Sequence, residues 1–288
     1  MDSAEIIADI RFGYGISDAP KDAKGMLASL QGADDAARSF PTFDMKAAYG
    51  LFSEYRAANK ANRAGTADAA DRLQKARRAA LLEFGIAHRA TMARAVYTAA
   101  PFRERLVHFW TDHFTVAAKN LPTLITIPPM IDEAIRPHIS GKFVDLLEAA
   151  EFHPAMLVYL DQQNSTGPNS VQGKRKGQGL NENLAREMLE LHTLGVKGGY
   201  SQTDVRELAE LLTGIKYLSK RGVFYAKRFA EPGAETIMGR TYGGPKESQA
   251  HIRAFLEDVA LHPETAKHLA TKLAVHFVGG EPDRGFVD

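Results

Sequence analysis

Hydrophobic and polar positions alternate along this chain mostly with the 3.6-residue period of an amphipathic helix. Placed at about 100° per residue, Arg105–Val116 gathers Leu106, Val107, Phe109, Trp110, Phe114 and Val116 on one face, with His113 among them. Asn181–Leu194 does the same with Leu184, Ala185, Met188, Leu189 and Leu191, and His192 falls on that apolar arc. Its opposite arc collects Asn183, Arg186, Glu187 and Glu190. The Ala-, Leu- and Arg-rich stretch Asp68–Phe84 reads as another helix, its basic residues forming a solvated face. Further helices are expected near 131–136, 143–151, 154–160, 204–217, 248–261 and from Pro263 to about Val278. Ser201 and Asp204 have the spacing of a capping box, and Pro263 suits a first helical turn.

The breaks are as informative. Pro122, Pro128 and Pro129 predict an interruption over 121–130. Arg11-Phe12-Gly13-Tyr14-Gly15 reads as a turn before the first helix, since a lone Gly-x-Gly without a strand is weak support for phosphate binding. Residues 162–180 are rich in Gly and Pro and poor in apolar residues, and read as a long flexible loop carrying Lys174, Arg175 and Lys176. The only strand-like part is 222–242, where Val223-Phe224-Tyr225 and Thr236-Ile237-Met238 flank Glu231-Pro232-Gly233. The fold class expected is therefore mainly α, a multi-helix bundle-like domain over 1–288 with a small β-hairpin near 222–242.

Composition narrows function by exclusion. The 288 residues are 44% hydrophobic and 25% charged with a formal charge of +1, so no global field attracts nucleic acid, and none is expected as a partner. The absence of cysteine removes disulfides, thiolate metal sites and a cysteine nucleophile. The amino-terminal residues lack the pattern of a signal peptide, and no apolar run reaches the roughly 18 residues of a membrane span. The expectation is a cytoplasmic protein, or one exported with a partner.

Two imidazoles on apolar arcs need buried hydrogen-bond partners, or they cost about 1–3 kcal/mol each. Either each is satisfied inside the core, or His113 and His192 are acid–base groups or metal ligands, with Glu187 as a further catalytic candidate. Asp112 or Asp161 is the carboxylate available to complete a metal shell. No ligand spacing of a known metal class is present, so the metal and any cofactor stay unassigned. Asn183, Arg186 and Glu190 form either a solvated charge face or a binding surface. The basic Lys174 and Arg175 just before it would favour an anion.

Several longer segments carry a resemblance. They are Arg105-Leu-Val-His-Phe-Trp-Thr-Asp-His-Phe-Thr-Val116, Glu133-Ala-Ile-Arg-Pro-His138 with Gly141, and His153-Pro-Ala-Met-Leu-Val-Tyr-Leu-Asp161 with Gly167-Pro-Asn-Ser170. The clearest is Leu180-Asn-Glu-Asn-Leu-Ala-Arg-Glu-Met-Leu-Glu-Leu-His-Thr-Leu-Gly195, and His262-Pro263 through Phe277 follows in order. Together they resemble the bacterial domain of unknown function (DUF) 1800 family. The resemblance implies a mainly helical protein whose chemistry is not established. It also implies a functional link to exported proteins of the DUF 1501 family, and further helices beyond the end of this chain. It leaves two functions open: an enzyme with an internal His/Asn/Arg/Glu site, or a binding or maturation partner of a DUF 1501-type protein. The chain departs from the family pattern at Asp112, where Asn is usual, at Ile215, where Trp is usual, and at Ala230, where His is frequent.

Overall fold

A computed structural model describes residues 3–177, 179–244, 248–280 and Gly285, without the side chain of Lys176. The chain divides into two compact units, Met1–Ser140 and Gly141–Asp288, and each is described by itself.

The first unit is all helix: α1 Ser3–Phe12, α2 Ala23–Gln31, α3 Asp35–Ser39, α4 Met45–Arg63, α5 Ala69–Tyr97, α6 Pro101–His113 and α7 Leu121–Pro129. Asp22, Asp34 and Asp44 begin α2, α3 and α4 by accepting a hydrogen bond from the third helical N–H. Helices α4, α5 and α7 pack around Ala48, Ala80 and Ile125, with Phe52 and Leu121 alongside. The small alanines let the helix axes approach closely. The expected turn at Gly13–Gly15 is present, but it follows helix α1 rather than preceding the first helix.

The expected break over 121–130 is instead helix α7. Asn120 and Thr123 form a capping box, and Pro122 lies in the first turn, where no N–H is needed. Pro128 and Pro129 lie at the other end, where the coil widens into a π-turn, Met130–Ile135, and then a 3₁₀ turn, Arg136–His138. Prolines that would break a helix interior are thereby placed where the hydrogen-bond pattern is already changing.

A buried ionic network crosses this unit. Arg136 bonds Glu104 at 2.7 and 2.9 Å and Asp34 at 2.7 and 2.9 Å. Burial alone would lower the Arg136 pKa, but the bonds to Glu104 and Asp34 outweigh it and hold it above its ordinary value. Arg94, 1% exposed, makes a second fork to Asp132. The wheel analysis of apolar faces gives no hint of either.

The second unit mixes helices and two hairpins: α8 Phe143–Glu151, α9 Pro154–Tyr159, α10 Val171–Lys176, α11 Asn183–Glu187, α12 Gln202–Leu211, α13 Gln249–Ala260 and α14 Pro263–Val278, with β1 Ile215–Leu218, β2 Gly222–Tyr225, β3 Gly233–Ile237 and β4 Arg240–Gly244. The fold is mainly α, as expected, with the strands near the expected place. Their pairing differs. Val223–Tyr225 pairs with 215–217, and Thr236 and Ile237 pair with Thr241 and Arg240, giving two antiparallel hairpins rather than one.

Helix α12 therefore ends at Leu211 instead of reaching Tyr217. Gly214 makes the turn: its φ is +93°, and a Cβ there would lie 2.9 Å from the Tyr225 ring. Ser201 and Asp204 do form the capping box that begins α12. The other carboxylate oxygen of Asp204 accepts from the Met238 N–H at 2.6 Å, and Glu207 accepts from the Thr236 N–H at 3.0 Å, which fastens hairpin β3–β4 to α12. Arg253 on α13 pairs with Asp145 and Glu148 of α8.

Residues 162–180 contain more structure than a loop reading allows. A 3₁₀ turn spans Gln162–Asn164, helix α10 follows, and Ser165 and Thr166 are fully buried. Gly167 lies so close to the Glu231 backbone that a Cβ would meet it at 2.6 Å.

Candidate functional site

The clearest chemical feature of the second unit is a buried pair. Glu151 ends α8, and His192 ends the run of helix that begins at Asn183. His192 Nδ1 lies 2.6 Å from Glu151 Oε1, and both side chains are almost completely buried. The other carboxylate oxygen, Oε2, is buried without a hydrogen-bond partner among the described residues. A buried carboxylate is tolerated when a cation or donor compensates it, and here that partner is the imidazole.

Local backbone explains how His192 reaches inward. The chain is α-helical over Asn183–Glu187 and then widens into a π-turn over Met188–His192. Thr193 Oγ1 donates to the Met188 carbonyl five residues back, at 2.6 Å. The wider turn carries Leu191 out of the expected apolar face, to 44% exposure, while Leu184, Ala185, Met188, Leu189 and His192 stay buried. Single π-turns inside helices often coincide with functional positions.

A second imidazole adjoins the pair. His268 on α14 has Nε2 3.2 Å from the Leu191 carbonyl. Burial pushes its pKa below the ordinary value, the Leu191 carbonyl opposes that, and the nearby Lys272 and His192 add to the lowering. Gly195 makes room for it: its φ is +81°, and a Cβ there would sit 2.8 Å from His268 Nδ1.

The other expected site residues separate from His192. Asn183 is exposed, and Glu187 and Glu190 are half-buried. Arg186, with its side chain 42% exposed, pairs with Glu182 at 3.1 Å and Gln202 at 3.0 Å. Glu182 can pair with it because it stands one turn earlier on the same face. Asp161 is exposed and turns the chain with φ +58°. Lys174 and Arg175 are exposed on α10, and the Lys176 side chain lies outside the described residues. In the first unit, His113 is 3% exposed and stands among the rings of Phe109, Trp110 and Phe114. Asp112 is exposed beside it.

Two titratable groups escaped the sequence reading. Lys216, in β1, is 6% exposed and donates to the carbonyls of Gln163, at 3.1 Å, and Ser165. Burial lowers its pKa to about 8. Glu235, in β3, is 5% exposed, and burial raises its pKa to about 7, with Glu210, Glu207 and Glu231 adding to the rise. Glu231 itself is held by the Asn169 amide groups at 2.6 and 2.9 Å. A lysine inside the apolar run Leu211–Tyr217 was the available signal for the first. Alternation across 233–237 was the signal for the second. The departures at Ile215 and Ala230 fall in this same neighbourhood and are buried.

No group of three or more His, Asp or Glu residues suited to holding a metal ion occurs among the described residues. No described helix is long and apolar enough to cross a membrane.

The chain is thus a mainly helical protein with a buried His–Glu pair whose histidine ends a π-turn. The sequence profile of the family described as "Protein of unknown function (DUF1800)" matches residues 10–288, and the chain belongs to that family. No curated protein and no solved structure matches it.

Proposed function

We propose that the protein is an enzyme using general acid–base chemistry at His192. The observation that carries this reading is the 2.6 Å contact between His192 Nδ1 and Glu151 Oε1 in a water-poor interior. A carboxylate on Nδ1 fixes the ring orientation and tautomer, and leaves Nε2 as the atom that gives or takes a proton. Glu151 is then a positioning residue. His268, half-buried and with its pKa lowered in part by His192, would offer a route for protons. Glu187, Asn183, Arg186 and Glu190, on the more exposed arc of the same helical run, would bind polar parts of a substrate. His113 has no part in this reading.

The test is a panel of ester, amide and phosphoester substrates and enolisable ketones, run with the native protein, His192→Gln and Glu151→Gln. His192→Gln is expected to abolish whatever turnover the panel reveals. Glu151→Gln is expected to lower it by about 10²–10⁴-fold and to shift the pH–rate profile. A folded His192→Gln protein with full turnover would sink the reading.

A second reading is a protein–protein contact with a DUF 1501-type exported partner. Helix α10 favours it, because it presents Val171 at 74% exposure together with exposed Lys174 and Arg175. Co-expression followed by affinity capture tests it. Val171→Asp should abolish a complex formed through α10, and a complex that survives that change does not use α10.

A further inference from the structure

The first unit holds a cleft of about 250 Å³ between α6 and the π-turn Met130–Ile135. One wall is apolar, formed by Ile127, Met130 and Ile135 among others. The opposite wall is the polar side of α6 with His108, Thr111 and Asp112, continued by Thr115 just past the helix end.

The hydrogen bonding of that wall decides what it can bind. Thr111 Oγ1 donates to the Val107 carbonyl at 2.7 Å, and Thr115 Oγ1 donates to the Asp112 carbonyl. Both hydroxyl protons are consumed by the helix backbone, so each oxygen presents only lone pairs to the cleft. Asp112 is an exposed carboxylate, an acceptor alone.

His108 follows from its partners. Its Nδ1 is bonded to the Tyr14 hydroxyl, and that hydroxyl also lies 3.4 Å from the Glu104 carbonyl. A carbonyl can only accept. The single Tyr14 proton can serve both contacts whichever ring nitrogen of His108 carries hydrogen, and together they hold the imidazole against Tyr14. Burial lowers the His108 pKa most, Glu104 opposes that, and Arg105 and Arg136 add to the lowering. Arg136 is neutralised by Glu104 and Asp34, and Arg105 lies 5.6 Å from the centroid of the Tyr14 ring.

The Thr111, Asp112 and Thr115 side chains therefore present acceptors, one of them charged, facing an apolar wall. We infer that the cleft binds a small aliphatic ammonium, its charged head on Asp112 beside the Thr111 and Thr115 hydroxyl oxygens and its hydrocarbon body against Met130 and Ile135. This site is independent of His192 and of the enzyme reading. An anion would be repelled by Asp112, and a neutral alcohol would lack the attraction to it.

Ligand-observed and ¹³C–¹H NMR on the full chain test this with three probes of equal length: hexylammonium, hexanoate and hexan-1-ol. Hexylammonium should bind and move the His108 ring resonance, hexanol should bind at least fivefold more weakly, and hexanoate should not bind. Asp112→Asn should weaken hexylammonium at least fivefold. Thr115→Lys, which brings its own ammonium to the wall, should abolish it. Hexanoate or hexanol binding as tightly as hexylammonium would overturn the assignment. So would no binding of any probe, or affinity unchanged in Asp112→Asn.

Discussion

Two arginines show how much a residue's setting decides its worth. Arg136 is almost fully buried between Glu104 and Asp34, whereas the Arg186 side chain is 42% exposed beside Glu182. Removing one partner of a buried, hydrogen-bonded pair strands the other charge, at roughly 3–5 kcal/mol. An exposed pair is worth about 0–1 kcal/mol. Chemical denaturation should therefore show Arg136→Ala losing several kcal/mol and Arg186→Ala losing less than about 1 kcal/mol. Equal losses would contradict these placements. The sequence pattern singled out Arg186, because it stands in a polar arc of a clearly amphipathic helix. It could not single out Arg136, whose partners lie 32 and 102 residues away. The inward position of His113 and His192 was legible, because an imidazole on an apolar arc has few alternatives. The partner of His192 was not, because Glu151 lies 41 residues earlier in another helix.

At the scale of elements, the π-turn at Met188–His192 and the hairpin β3–β4 each make a measurable difference. A regular helix would bury Leu191; the π-turn exposes it and keeps Leu189 fully buried. Leu189→Ala should cost about 2–5 kcal/mol through the cavity it leaves, and Leu191→Ala within about 1 kcal/mol. Reversed costs would mean that the helix is regular. Element positions were largely legible from periodicity and caps, as at Ser201–Asp204 and Pro263. Strand pairing was not, since 215–218 continues the apolar run of α12 and only Gly214 marks the change. In hairpin β3–β4, Glu235 has its pKa raised to about 7 in the fold, above its ordinary 4.5, first by burial and then by neighbouring carboxylates. Between those two values the unfolded chain releases a proton that the folded chain keeps, so stability falls as pH rises. The contribution is complete below about pH 4.5 and lost as pH passes 7. The loss is on the order of 3 kcal/mol. Relative to Glu235→Gln, the native protein should lose stability between pH 5 and 8, and parallel pH curves for the two would refute the assignment.

Across the whole molecule, the most informative segment is the one whose composition and structure pull in different directions. Residues 162–180 have the glycine, proline and charge content of a loop. Yet the chain buries Ser165, Thr166 and Ser170 and holds Asn169 on Glu231. Composition reports what a segment can bury by itself. It does not register backbone and short polar groups that are satisfied by distant partners, such as the Ser165 carbonyl on Lys216. What stays loop-like is the middle: α10 is six residues long and presents Val171, Lys174 and Arg175 to solvent. Local opening there breaks few buried contacts, whereas opening α4 or α5 would disrupt the core around Ala48 and Ala80. Limited trypsin digestion of the native protein should accordingly cut first after Lys174 or Arg175. One competing exposed site is Lys142, next to the division between the two units at Ser140–Gly141. Mass spectrometry of the earliest fragments separates the outcomes. A first fragment ending at Lys142 would mean that the connection between the units opens more readily than α10. A first cut within α4 or α5 would mean that the pinned flanks of α10 protect it more than its short exposed helix exposes it.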